Sequence, residues 1–133
     1  MITIEELQNL CRDRLEDARV LQREGRADWA IYTCGYVLEL ALKKKICETL
    51  HWKGYPSTEK EFELLKSLKT HSWDVLLHFS GIESEVKEGK GFTEWSIMAD
   101  FAWRPEMRYS QAKWTNEKAK LMLDSVEAFL KKL

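Results

Sequence analysis

Proline is nearly missing from this chain: Pro56 and Pro105 are the only two in 133 residues, so few positions are barred from the interior of a helix. Charge of one sign is not in surplus either, with 21 basic against 22 acidic residues and a formal net charge of −1. That balance removes the broad attraction by which strongly basic proteins bind nucleic acid whatever its sequence, and leaves only a local site for such a ligand. No apolar run approaches the roughly 20 residues needed to span a bilayer, so no membrane partner is expected. Met1-Ile2-Thr3-Ile4 leads straight into Glu5-Glu6, without the basic and apolar segments of a secretory signal, and the expectation is a soluble, cytoplasmic protein. Cysteine is sparse and odd in number. Cys11, Cys34 and Cys47 offer no short pairing, which argues against a disulfide framework. Cys47 and His51 stand one helical turn apart, but two ligands do not make a zinc site, so neither a metal nor a cofactor is expected.

What is present is helical periodicity, over a length that suits one domain spanning residues 1–133. Ile4, Leu7, Cys11, Leu15, Ala18 and Leu21 form one stripe, ended at Gly25. A second helix, over about 28–51, is apolar around most of its circumference until Lys43-Lys44-Lys45, which predicts the central, most buried element. Gly54, Pro56 and Ser57 mark a loop. Phe62, Leu65 and Leu68 then follow helical spacing within a charged segment, and Thr70-His71-Ser72 offers a cap for a helix carrying Trp73, Leu76, Leu77 and Phe79. Thr93 is the expected cap of a short helix through Trp95, Met98 and Phe101, ended by Pro105. Thr115 is the expected N-cap of a last helix with Ala119, Met122, Val126, Phe129 and Leu133 on one face. No strand alternation is visible. The fold class is all-α: an up-and-down bundle of four to six helices, with the first, second and last the longest.

Glu39 is the conspicuous polar residue, a carboxylate among Leu38, Leu40, Ala41 and Leu42. Burial there removes hydration worth several kcal/mol, so partners must replace it. Lys43 lies one turn on, His71 opens a later helix, and Arg104, Arg108 and Tyr109 cluster around Pro105. These six residues are the candidate ligand-binding set or buried polar network. Arg108 can clamp Glu39 or a phosphate, because both offer paired oxygens to its planar fork. Six tryptophans are more than one modest core readily absorbs, and one or more of Trp29, Trp52, Trp95, Trp103 and Trp114 is expected in a contact with a second chain.

Gly35-Tyr36-Val37-Leu38-Glu39-Leu40-Ala41-Leu42-Lys43 in the second helix, His71 opening a helix, Arg108-Tyr109 before the last helix and the closing apolar repeat together resemble the HEPN family of small helical bundles. The resemblance covers nearly the whole chain. It departs where Ser72-Trp73 follow His71 in place of the usual acidic or amide residue and Leu. It implies a bundle that forms homodimers and that, in toxin–antitoxin systems, partners a small nucleotidyltransferase. Catalytic members cut RNA with an Arg followed roughly one helical turn later by a His near the last long helix. No His follows His78 here, and none of His51, His71 and His78 stands after an Arg in that way. The resemblance therefore implies a non-catalytic binding or accessory module for a nucleotide or RNA phosphate, with no catalytic residues. Two alternatives stand beside it: a divergent metal-independent RNase using His71 with Arg108 or Arg104, and a purely structural dimeric interaction module.

Overall fold

The computed structural model describes residues 1–111 and 113–133. Its longest helices are α1 (Ile4–Arg23), α2 (Ala27–Leu50) and, at the end of the chain, α7 (Asn116–Leu130). Between them lie α3 (Glu59–Phe62), α4 (Trp73–Ser80), α5 (Glu83–Lys87) and α6 (Phe92–Asp100). The described residues thus form seven α-helices where four to six were expected, because α3 and α5 are single turns too short to carry a periodic signal.

α2 is central. α1, α4 and α7 all pack on it, and α6 packs on α7. Its buried residues run from Ala27 to Cys47 around most of its circumference, as its continuous apolar composition demands. α2 returns along α1 after the short Glu24–Arg26 turn, in which Gly25 takes a positive φ of 74°. Thr3 and Glu6 begin α1 with a reciprocal cap: Glu6 N donates to Thr3 Oγ1 at 3.1 Å and Thr3 N donates to Glu6 Oε2 at 2.8 Å. Among the described residues no helix is long and apolar enough to cross a membrane.

Several expectations are corrected. A two-residue antiparallel ladder joins β1 (Ile2–Thr3) to β2 (Gly54–Tyr55), too short to show alternation in sequence. The Phe62-Leu65-Leu68 stripe is not one helix; a single α turn gives way to a 3₁₀ turn at Lys66–Leu68, and Leu64 is 96% exposed. Gly91, not Thr93, is the N-cap of α6. That helix ends at Asp100, and Pro105 instead begins a 3₁₀ turn, Pro105–Tyr109. Ser72 and Thr115 do cap α4 and α7, accepting from Val75 N and Lys118 N.

The core also absorbs more tryptophan than its size suggested. Trp73 and Trp95 are buried, Trp52, Trp103 and Trp114 are half-buried against the core, and Trp29 alone is 48% exposed. A buried indole N–H calls for an acceptor, and two of the indoles find one, whereas Trp114 Nε1 is buried without a partner among the described residues. Trp73 Nε1 donates to Gly35 O at 3.2 Å and Trp103 Nε1 donates to Tyr32 O at 3.0 Å. The two indoles stack on each other at 5.4 Å with planes 7° apart.

All three cysteines are free thiols. Burial pushes Cys11 up to about 11 and Cys34 up to about 12, and raises Cys47 as well. A raised value keeps each thiol protonated at neutral pH, and the thiolate is the nucleophile. Native protein treated with iodoacetamide at pH 8 is therefore expected to leave Cys34 and Cys47 unalkylated while the denatured chain reacts fully; mass spectrometry of the peptides checks this. Rapid native labelling of Cys34 would contradict the burial.

Candidate binding cleft

One turn of α2 sets the chemistry of the site. Tyr36, Glu39 and Lys43 follow each other at spacings of three and four, so their side chains share a face. Glu39 is 2% exposed. Its Oε1 lies 2.9 Å from Lys43 Nζ and 2.8 Å from His71 Nδ1. A carboxylate only accepts, so Nδ1 is the donor nitrogen there. His71 reaches α2 because Thr70-His71-Ser72 leads into α4, whose first residue, Trp73, is anchored on Gly35 O. Lys43 also lies over the Tyr55 ring, 5.0 Å from its centroid. Tyr55 is fixed in turn by its hydroxyl, which donates to Leu68 O at 2.7 Å.

Glu39 Oε2 is different: it is buried and has no hydrogen-bond partner among the described residues. Two donors converge on one oxygen and none on the other.

Glu39, Lys43 and His71 form one end of a cleft of about 820 Å³ between α1 and α2. From there the α2 wall continues through Tyr36, Tyr32 and Trp29, and α1 contributes Leu10, Arg14, Asp17 and Leu21. Trp29 stacks on Tyr32 with ring centroids 4.7 Å apart. The Tyr32 and Tyr36 hydroxyls lie 3.3 Å apart, and burial followed by that contact pushes Tyr36 up to about 12. Arg14 and Asp17 are paired with each other. Tyr36 meets His71 edge to face, at 6.0 Å and 85°.

The structure thus brings Glu39, Lys43 and His71 together and leaves the other three sequence candidates apart from them. Arg108 and Tyr109 are exposed, and neither is bonded to Glu39. Arg108 Nη1 donates to Pro105 O at 3.1 Å and its guanidinium covers the Tyr109 ring at 4.6 Å. The Tyr109 and Tyr32 phenols raise its pKa further, and the 3₁₀ turn that carries it packs on α2 outside the cleft lining. Arg104 is also exposed, and with His71 it lines a second, smaller cleft of about 360 Å³ walled by Trp73, Trp95 and Trp103. Among the described residues no group of three His, Cys, Asp or Glu side chains is placed to hold a metal ion, and Cys47 is buried while His51 is exposed.

Sequence reasoning missed the aromatic wall, although its signal was available: Trp29, Tyr32 and Tyr36 recur at helical spacing on the face that also holds Glu39 and Lys43. The contribution of Arg14 and Asp17 had no such signal, since any charged pair three apart on an outer helix reads as a solvated edge. No protein-family model matches this chain, and the same is true of curated proteins and of solved structures.

Proposed function

We propose that this chain is a non-catalytic, HEPN-type binding module that holds a nucleotide, free or at an RNA end, in the cleft between α1 and α2. The observation that carries the reading is an aromatic-walled cleft ending in a buried carboxylate with one unpartnered oxygen. A cleft of about 820 Å³ falls within the roughly 300–1,000 Å³ typical of small-molecule sites, where a few polar groups fix orientation against apolar walls. Exposed aromatic rings supply stacking surfaces, worth roughly 1–3 kcal/mol per base in single-stranded nucleic-acid sites. Pairing with a second copy or with a small nucleotidyltransferase, as in toxin–antitoxin systems, belongs to the same reading; the half-exposed Trp29 and Val20 at the cleft rim support it.

Titration with AMP, ATP, GMP and UMP, followed by calorimetry and by tryptophan fluorescence, tests the reading. Binding of at least one nucleotide is expected, with Trp29→Ala weakening it at least about tenfold, a loss inside the measured range for one stacked base. Silence toward all four nucleotides at millimolar concentration would sink it.

A divergent RNase is the second reading, supported by His71: its Nδ1 is held by Glu39, and its Nε2 has no partner among the described residues and shares the smaller cleft with Arg104. Our reading predicts that purified protein leaves single-stranded RNA intact, since no His follows an Arg at the spacing of the catalytic members. Cleavage that disappears in His71→Ala would favour the RNase instead.

A further inference from the structure

We infer that the Glu39 end of the cleft reads the hydrogen-bonding edge of a planar nitrogen heterocycle, of the nucleobase class, and that the phosphates of the same ligand lie away from it, toward Arg108. This rests on the nucleotide-binding reading and goes further by fixing which end of the ligand goes where.

The first ground is charge. Lys43 is the cation that a phosphate would seek at this end, but its Nζ sits 2.9 Å from Glu39 Oε1. A phosphate brought to Lys43 would approach a carboxylate that is 3% exposed and poorly screened, so like charges would meet in a low-dielectric setting. His71, the other donor here, also has its Nδ1 directed at that carboxylate. The end of the cleft is an acceptor with neutralising partners, not an anion hole.

The second ground is the unpartnered Oε2. Buried oxygens of ionised carboxylates are rarely left without a donor, and the missing partner must carry N–H or O–H. The terminal carboxylate torsion of Glu is soft, so the group can turn toward a donor brought by a ligand in the cleft that Glu39 lines. Lys43 Nζ adds a complementary group. One of its three hydrogens serves Oε1 and its positive charge faces the Tyr55 ring, which leaves donor capacity for a ligand at this end of the cleft. An acceptor next to a donor matches the base edges: amino group and ring nitrogen in adenine or cytosine, ring N–H and carbonyl in guanine or uracil. Tyr36, one turn away on α2, lines the cleft beside this end.

The third ground is the far side of the aromatic wall. Arg108 stands in the 3₁₀ turn Pro105–Tyr109, which packs on α2, is exposed, and has no carboxylate partner among the described residues. Arg14, the other guanidinium near the cleft, is paired with Asp17. Arg104, also exposed, lines the separate smaller cleft, so Arg108 is the guanidinium assigned to the phosphate, and its planar fork suits that role.

The test is calorimetric titration of the full chain with adenosine, guanosine, cytidine and uridine, their 5′-monophosphates, and ribose 5-phosphate. At least one nucleoside is expected to bind without any phosphate. For that base, Glu39→Gln should weaken nucleoside and monophosphate by the same factor, at least about tenfold. Arg108→Ala, a surface change, should weaken only the monophosphate, bringing it close to the nucleoside. Monophosphates that bind while every nucleoside fails, or ribose 5-phosphate binding that depends on Glu39, would overturn the orientation and leave the nucleotide reading standing. Failure of all nucleosides and nucleotides would overturn both. If Glu39→Gln does not fold, by circular dichroism, the wild-type comparison of nucleosides with ribose 5-phosphate and the Arg108→Ala result still decide the matter.

Discussion

Gly35→Ala is expected to destabilise the protein by about 2–4 kcal/mol, against the usual sign of that substitution. In an ordinary helix interior, replacing Gly by Ala stabilises by roughly 0.5–1 kcal/mol, because the backbone has less freedom to lose on folding. Here a Cβ on Gly35 would fall 1.9 Å from Trp103 Nε1 and 2.0 Å from Trp103 Cε2, inside the ring system of a half-buried indole. The indole cannot retreat without loss. It donates to Tyr32 O and stacks on Trp73, whose own Nε1 donates to Gly35 O. Overpacking of a well-filled core typically costs about 1–3 kcal/mol, and the displaced indole forfeits a hydrogen bond and stacking besides. Thermal melting should show a fall in midpoint of about 10 °C for a loss near 3 kcal/mol in a chain of this length. The decisive measurement is the same change in a Trp103→Ala background. With the indole gone, Gly35→Ala should become neutral or stabilising by up to about 1 kcal/mol. A destabilisation that persists in that background would refute the direct collision.

The second large effect concerns Glu39. Glu39→Leu alone should cost on the order of 3 kcal/mol, because it removes the carboxylate and leaves the Lys43 ammonium, 18% exposed, without its partner. His71 contributes less to that loss, since its side chain is 55% exposed and can turn to water. Pairing the change with Lys43→Met should recover most of the stability, as buried ion pairs replaced by apolar groups of similar volume are often neutral or stabilising. Chemical denaturation of the two single variants and the double variant gives the coupling directly. Full recovery of stability combined with loss of nucleotide binding would separate the ligand-binding reading from the purely structural one. A Glu39→Leu variant as stable as the parent would show that the carboxylate carries no buried charge in need of a partner.

The amino-acid sequence alone determined the bundle's long members, because α1 and α7 each have a periodic stripe and a side-chain cap that acts within a few residues, and α2 is a long, continuously apolar helical run. It also determined that Glu39 needed donors, since a charged group inside an apolar helix cannot keep its hydration. It did not determine which donors. Lys43 was one turn away and legible; His71, 32 residues on, shares the carboxylate with Lys43 only because Trp73 anchors the start of α4 against α2. Arg108 looked equally suited in composition, yet the 3₁₀ turn at Pro105–Tyr109 keeps it exposed beside Tyr109. Short segments were misread for a related reason. Helices of one turn and a two-residue ladder are held by contacts across the fold and have no period of their own. Gly35 shows the division most plainly: in sequence it is a mild helix weakness, and only the approach of Trp103, 68 positions later, makes it the single residue type that fits.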